Sequence, residues 1–189
     1  SGSYDQAGAA TTATIGELLK DMLGRSGNTA IRVLAPHVDG AEGVNDHLAR
    51  SGYDATRVVD AGNQAIILGE TTPFEAVQML RQLYEGEESE LATIARRALE
   101  QNEISNTGIR RHVKVADDAP YIVANKSGDY PGDDPDDPYP VPYAVVHDVG
   151  FIQTNESQQR IEYAIMTRAP RYNNGSKKGR LAHELAEQT

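Results

Sequence analysis

Two short polar triads carry the residues of this chain that could do chemistry. They are Ser26-Gly27-Asn28, called here the SGN triad, and Lys126-Ser127-Gly128, called the KSG triad. A lysine next to a hydroxyl at the end of a strand forms a compact clamp for an anion, because the ammonium and the hydroxyl both donate hydrogen bonds. The residue types therefore predict a carboxylate- or sulfate-binding site at the KSG triad, with a hydroxyl and an amide facing it from the SGN triad.

Each triad also has a purely structural interpretation. Ser, Gly and Asn are common turn and helix-cap residues, so the SGN triad alone could be a turn between two helices. The KSG triad alone could be the end of a strand that enters a loop. The residues by themselves leave both interpretations open.

Helical patterns surround the SGN triad. Thr14 followed by Glu17 is typical of a capping box and predicts a helix that ends near Gly24. Thr72 as N-cap and Pro73 as the first helical residue predict a later helix. The predicted helices after the first are 29–38, 43–49, 73–86, 91–99 and 176–188.

The hydrophobic pattern changes to the period of β-strands in the second half of the chain. Strands are predicted over Tyr121 to Ala124, Tyr143 to Ile152 and Ile161 to Met166, and the polar turn Thr154 to Gln159 joins the last two. Several helices, then three antiparallel strands, then one helix constitute an α+β arrangement. The KSG triad follows shortly after the first of these strands.

Composition limits the classes of partner. The chain has 189 residues, which favours one domain, a formal net charge of -10 at pH 7 and no Cys. A chain this acidic, with no basic stripe, is not expected to bind nucleic acid or an anionic membrane surface. The sequence also contains no apolar run long enough for a membrane span.

Neither a metal site nor a cofactor site is predicted. The acidic segment 129–140 has five Asp residues, but their spacing does not fit a calcium loop and its prolines impose extended backbone. A solvated loop is the expected interpretation. The five His residues are scattered without a His-x-x-x-His pair, and surface or capping roles are expected for them.

The sequence around the two triads resembles a known enzyme family. The segments TIGELLKDMLGRSGNTAIRVL (14–34) and YIVANKSG (121–128) are similar to motif regions of class A serine β-lactamases and related penicillin-binding DD-peptidases. The resemblance covers nearly the whole chain but only the later two-thirds or so of that family's domain. It implies a β-lactamase/transpeptidase-like α+β fold without the N-terminal strands and nucleophile helix. A flexible segment 1–13 would precede a helical part, 14–110, and a sheet part, 111–189.

The resemblance also implies roles for individual residues. Ser26 would be a proton-shuttling hydroxyl, and Lys126 would supply positive potential for a substrate carboxylate. The implied substrate-binding positions are Asn28 for the substrate's amide side chain, Ser127 and Gly128 at the carboxylate, and the backbone amide of Asp129 at one oxyanion-hole position.

Three departures separate the chain from an ordinary class A enzyme. No Ser-x-x-Lys, the family's nucleophile motif, occurs in the sequence, and Gly27 stands where those enzymes have a structural Asp. Segment 61–70, at the position of the omega loop, has no Glu-x-x-Leu-Asn. Glu70 corresponds better to the acidic residue before the Thr-Thr-Pro helix start than to the deacylating Glu. Slow-deacylating penicillin binding is therefore expected in preference to rapid β-lactam hydrolysis.

Two hypotheses for function follow. In the first, a Ser-x-x-Lys segment on an N-terminal piece completes a hydrolase of β-lactams or D-alanyl peptides. In the second, the chain is a catalytically inactive relative that serves as a binding or structural module of the bacterial cell envelope. Both place the protein outside the cytoplasm. We also expect the strand 161–166 to be a free sheet edge that pairs with the N-terminal fragment or with a second copy.

Overall fold

The computed structural model describes residues 12–60, 67–102, 109–113, 119–130 and 143–170. They belong to two compact units, Ser1–Ile104 and Ser105–Thr189. The first unit contains five α-helices and a two-stranded sheet among its described residues, and the second contains a short helix and a three-stranded sheet. Helices thus precede an antiparallel sheet, which confirms the predicted α+β class.

The first helix, α1 (Ile15–Gly24), begins at the predicted capping box. The backbone N–H of Glu17 donates to Oγ1 of Thr14 at 3.2 Å, and the backbone N–H of Thr14 donates to the Glu17 carboxylate at 2.8 Å. Both hydrogen bonds satisfy donors that a helix N-terminus leaves unpaired. Together with the Thr14 hydroxyl, they lower the pKa of the Glu17 carboxyl below its ordinary value.

The other helices of the first unit begin close to their predicted positions. The predicted helix 29–38 is two elements, because Pro36 lacks the N–H that would continue the α-helical hydrogen bonds. The N-caps of the last two helices are Thr72, as predicted, and Ser89. The elements are α2 (Asn28–Leu34), a 3₁₀ helix (Ala35–Val38), α3 (Gly40–Arg50), α4 (Pro73–Glu85) and α5 (Glu90–Glu100).

Helix α1 packs against α5 and α2 through small residues. A Cβ on Gly16 would lie 2.9 Å from Cδ1 of Ile94, so the glycine permits a close approach of the two helices. The buried apolar residues of this unit are Ala30, Leu48, Tyr53, Ala76, Leu80, Ala95, Ala98 and Leu99.

A two-stranded sheet lies where the sequence predicted no strand. Strand β1 (Arg57–Asp60) pairs antiparallel with β2 (Ile67–Glu70), and Arg57 is opposite Glu70. The assignment of 67–70 to an omega-type loop is therefore wrong; residues 61–66 lie outside the described residues. Strands of four residues are too short to show a clear alternation of apolar and polar positions.

Side chains from two helices hold β1 in place. The amide of Asn45 on α3 donates from Nδ2 to the C=O of Val58 at 2.8 Å and accepts from the N–H of Val58 at 2.7 Å. At the start of α4, the buried carboxylate of Glu75 accepts hydrogen bonds from the N–H of Ala55 and the hydroxyl of Thr56. The backbone at Val58 thus pairs with β2 on one side and with a side chain on the other.

The second unit is built on an antiparallel sheet with strand order β3-β4-β5. Its elements are α6 (Ile109–His112), β3 (Tyr121–Tyr130), β4 (Tyr143–Thr154) and β5 (Arg160–Pro170). All three strands are longer than predicted, and β3 continues six residues beyond Ala124. Its polar second half has low β propensity, but pairing with the apolar β4 outweighs that preference.

The KSG triad therefore lies within a strand. Lys126 is opposite Val149, Ser127 is opposite Asp148, and Gly128 is opposite His147. The expectation that a strand ends before the triad was wrong. As an element of a paired strand, the triad has its backbone direction fixed by the sheet.

Some predicted segments lie outside the described residues. They include the terminal helix 176–188, most of the flexible segment 1–13, and the acidic segment from residue 131 onward. Within the described ranges, no helix has the length and apolar character needed to cross a bilayer.

Replacing Asn45 by Ala removes both hydrogen bonds to the Val58 backbone. We expect the free energy of unfolding to fall by about 2 kcal/mol, because two hydrogen bonds are lost and two backbone groups lose their partner. Urea unfolding followed by circular dichroism would measure the change. Asp46→Ala is the matched control, since Asp46 is exposed on the same helix; equal stabilities of the two variants would contradict the prediction.

Candidate functional site

The SGN triad forms the turn between α1 and α2. Ser26 has a φ of 55°, in the left-handed region that non-glycine residues seldom adopt. The turn is held by the C=O of Asp21, which accepts the N–H of Arg25 and the N–H of Gly27, each at 3.0 Å. Two hydrogen bonds onto one carbonyl thus fix the direction in which the chain leaves α1.

The structure modifies the interpretation of this triad as a helix cap. The N-cap of α2 is Gly27, and no side chain caps this helix by a hydrogen bond. Asn28 is the first helical residue and is exposed, while Ser26 is half-buried. The hydroxyl of Ser26 and the amide of Asn28 therefore flank a glycine in a turn whose geometry is set by α1.

Lys126 is half-buried on β3, next to the half-buried Ser127. Its Nζ donates a hydrogen bond to the C=O of Ser127 at 2.5 Å. Burial lowers the pKa of the Lys126 ammonium, against the opposing effect of the Asp129 and Asp148 carboxylates. The charged form is thus less well solvated here than on a free surface, and an incoming anion would interact with it more strongly.

The sheet directs the backbone of alternate β3 residues away from β4. Val146 donates its N–H to the Thr167 hydroxyl at 3.2 Å, and its C=O accepts that hydroxyl at 2.7 Å, so its backbone points toward β5. Asp129 is the β3 partner of Val146. In an antiparallel pair the two residues of such a non-hydrogen-bonded pair both point outward. The N–H of Asp129 and, by the same alternation, the C=O of Ser127 face the outer edge of β3.

A helix covers the preceding part of that edge. Arg110 on α6 donates from Nη1 to the C=O of Val123 at 2.7 Å. In the described part of the chain no strand pairs with the outer side of β3. Beyond Val123, the outward backbone of β3 at Ser127 and Asp129 is therefore not paired with a described strand.

A buried polar cluster supports β3 beside the KSG triad. Asn125, with no exposed surface, donates from Nδ2 to Oδ1 of Asp148 at 2.9 Å. Oδ2 of Asp148 accepts the N–H of Ile109 at 2.8 Å and the hydroxyl of Tyr163 at 3.1 Å. Burial, followed by the nearby Asp148, raises the pKa of the Tyr163 hydroxyl. Three donors from three elements thus stabilise one buried carboxylate directly across from Ser127.

The sequence analysis did not identify this cluster. Asp148 and Tyr163 each stand in an apolar strand pattern where one polar residue is unremarkable. The one sequence signal was Gly150, since a Cβ there would lie 2.7 Å from Oη of Tyr163. A glycine within a predicted strand indicates a close approach by another group.

The remaining candidate residues have simpler surroundings. Glu70 is exposed and pairs with Arg57 at 2.8 Å, in agreement with the decision not to assign it as a base. His147 is half-buried in β4 and its pKa is lowered by burial, so the expected surface role is wrong for this residue. Among the residues with described positions, no group of three or more His, Asp or Glu is placed to hold a metal ion.

The sequence matches a model of the β-lactamase enzyme family over residues 1–188. No curated protein sequence matches the chain.

Solved class A β-lactamases have a similar fold. The enzyme from Mycobacterium abscessus has a TM-score of 0.67 and 23% identity, over 94% of this chain and 64% of that chain. The chromosome-encoded β-lactamase of Vibrio parahaemolyticus has a TM-score of 0.68 and 17% identity, over 95% and 65%. The class A β-lactamase from Bacteroides cellulosilyticus DSM 14838 has a TM-score of 0.67 and 17% identity, over 94% and 62%. These similarities confirm the predicted fold, and the chain spans less than two thirds of the length of these three proteins.

Replacing Lys126 by Met removes the ammonium that burial disfavours. We expect the unfolding temperature at pH 7 to equal or exceed that of the wild type. The folded-state pKa of Lys126 is lowered, so the charged lysine destabilises the fold below that pKa, and the effect disappears as pH rises toward the ordinary lysine value. The advantage of the Met variant should shrink over the same range.

Thermal unfolding at several pH values would measure this difference. Lys20→Met is the matched control, because Lys20 is exposed on α1. A Lys126→Met variant that is less stable than this control at every pH would show that the ammonium stabilises the fold.

Proposed function

This chain belongs to the β-lactamase enzyme family, and from that premise we propose that it binds β-lactams or D-alanyl peptides at the KSG triad. Given a Ser-x-x-Lys segment from an N-terminal piece of the protein, it would take part in serine acyl transfer. The ligand's carboxylate is the group that the triad recognises. No cofactor or metal enters this proposal.

The geometry of β3 is the observation that carries the proposal. A half-buried ammonium, a half-buried hydroxyl and an outward-facing backbone N–H follow one another at Lys126, Ser127 and Asp129. Charge-assisted hydrogen bonds from such donors are stronger than neutral ones. Lys126 and Ser127 would bind the carboxylate, and the Asp129 N–H would donate to the carbonyl oxygen on which negative charge develops. Gly128 would leave room between them, since a Cβ there would meet no atom within 4 Å.

The SGN triad would supply the remaining polar groups. Ser26 would return a proton to the leaving nitrogen, a step that acyl transfer requires of a hydroxyl or an amine near the reacting bond. Asn28 is exposed at the start of α2, so its amide is available to the substrate's amide side chain. Both roles rest on the family resemblance of this turn.

Slow turnover of an acyl-enzyme is part of the proposal. Segment 57–70 contains one Glu, and that residue, Glu70, is exposed and paired with Arg57. A general base must be free to accept a proton from water in the site. A carboxylate bound to a guanidinium on the surface does not meet this requirement.

An inactive relative is the second candidate. The absence of Ser-x-x-Lys from this sequence favours it. In that case the chain would be a binding or structural module of the cell envelope, with the same carboxylate clamp and no covalent chemistry. Both candidates share an extracytoplasmic location, which we propose from the family.

Binding of a D-Ala-D-Ala peptide to wild-type protein and to Lys126→Ala tests the clamp. We expect the variant to bind more weakly by about 1.5 to 3 kcal/mol, or roughly 10- to 150-fold in Kd, because one charge-assisted hydrogen bond is lost. Isothermal titration calorimetry would measure both affinities.

Two controls sharpen this experiment. Lys20→Ala removes an exposed lysine from α1 and should leave Kd unchanged. Intact-mass spectrometry after incubation with a penicillin should show no covalent adduct on this chain. Equal affinities of wild type and Lys126→Ala would reject the clamp, and an adduct on Ser26 or Ser127 would reject the roles proposed for those residues.

We also propose that the edge of β5 receives a further strand. In the described part of the sheet β5 pairs with β4 alone, and Ile161 at its start is 71% exposed. An unprotected edge with an exposed apolar side chain tends to recruit a strand. The incoming strand would come from the N-terminal piece of the same protein or from a second copy.

Ile161→Lys should weaken this association, because a lysine on an edge strand opposes pairing. Sedimentation velocity over a range of concentrations would show dimers of the wild type that decrease in the variant. Val59→Lys, also at an exposed apolar strand residue, is the matched control. A monodisperse wild-type monomer whose amides 161–166 exchange rapidly would contradict the proposal.

A further inference from the structure

The space beside Gly27 is filled by a carboxylate from α1. A Cβ built on Gly27 would overlap Oδ2 and Cγ of Asp21 and would lie 3.1 Å from Oδ1. Asp21 itself is buried, with 7% of its surface exposed. The carboxylate of Asp21 thus lies where any side chain at position 27 would have to begin.

The backbone does not require a glycine at this position. Gly27 has a φ of -67° and a ψ of 106°, which every L-residue adopts without strain. The space occupied by Asp21 is therefore the reason that position 27 tolerates no side chain. The strained residue of the turn is its neighbour, Ser26, which is not a glycine and has a positive φ.

Asp21 contacts the turn through its main chain and its side chain. Its C=O accepts the N–H groups of Arg25 and Gly27, and its carboxylate packs against the Cα of Gly27. A left-handed serine persists when the surrounding structure over-determines it. These contacts provide that constraint on the two sides of the Ser26 peptide.

Packing alone does not explain an Asp at this site. Burying a carboxylate is unfavourable unless its charge is compensated by hydrogen bonds, and an apolar residue would fill the same space without that cost. A buried Asp in contact with a turn of candidate site residues therefore indicates a role in shaping that turn.

We propose that Asp21 is the positioning residue of the SGN triad. Its buried carboxylate occupies the place of a side chain at position 27 and thereby sets the directions of the Ser26 hydroxyl and the Asn28 amide. The effect on ligand binding rests on the proposed function. The effect on the turn does not.

A double-mutant cycle on stability tests the steric part. In the wild type, Gly27→Ala should lower the unfolding temperature by about 4 °C or more, because the new methyl group collides with the Asp21 carboxylate. In an Asp21→Ala background the same substitution should have no cost, since the colliding atoms are gone. Asp21→Ser replaces Asp21→Ala in the cycle if the alanine variant does not fold.

Asp46→Ala provides the matched background, because Asp46 is an exposed Asp on α3. There, Gly27→Ala should cost as much as in the wild type. The proposal is overturned if Gly27→Ala costs the same in the Asp21 and Asp46 backgrounds, or if it leaves the wild type unchanged.

Positioning has its own measurements. Asp21→Asn keeps the shape of the side chain, so the amide chemical shifts of Ser26 and Asn28 should stay near their wild-type values and move in Asp21→Ala. Kd for the D-Ala-D-Ala peptide, measured well below the unfolding temperature, should rise about fivefold in Asp21→Ala and stay within about twofold in Asp21→Asn. A residue that only stabilises the fold would leave Kd unchanged in both variants.

The outcomes separate the two proposals. If the wild type binds no peptide, the proposed function fails, while the stability cycle and the chemical shifts still decide the role of Asp21. If the peptide binds and both Asp21 variants match the wild type in Kd and in chemical shift, Asp21 does not position the triad.

Discussion

The antiparallel pairing of β3 with β4 is the constraint on which the candidate site depends. It keeps a polar segment of low strand propensity, Lys126 to Asp129, in an extended conformation. It also decides the direction of each backbone group, because the partners of an antiparallel pair alternate between facing each other and facing outward. The orientation of Asp129 follows from the hydrogen bonds that Val146 makes to Thr167 on the far side of β4. Two residues of the third strand's neighbourhood thus determine which donors of the first strand are available.

Buried carboxylates fix the backbone in each unit by similar physics. Glu75 holds the segment before β1, Asp21 holds the turn after α1, and Asp148 holds the start of α6 and the side chain of Asn125. Each is at most 8% exposed. A buried anion is stable only where donors converge on it, so the fold must keep those donors in place. The polar groups inside this protein act as local restraints on irregular backbone.

Local signals predicted the helices well, because caps such as Thr14 and Thr72 act within four residues. The sequence also identified both triads, since their side-chain chemistry is visible in the residue types. It missed β1 and β2 and the continuation of β3, which depend on partners distant in the chain. The cluster around Asp148 was missed for the same reason: a buried hydrogen bond has no sequence pattern of its own. The inactive-site question, by contrast, arises from the sequence alone.

The amide of Asn45 gives the small sheet an end that is chemically closed. By satisfying the N–H and C=O of Val58, a helix side chain takes the place that a foreign strand would otherwise occupy. Edge strands without such a guard are the usual starting points of aggregation. A single asparagine thus lets the chain carry a short, partly apolar hairpin without making it adhesive. Loss of that side chain would change the solubility of the protein as well as its stability.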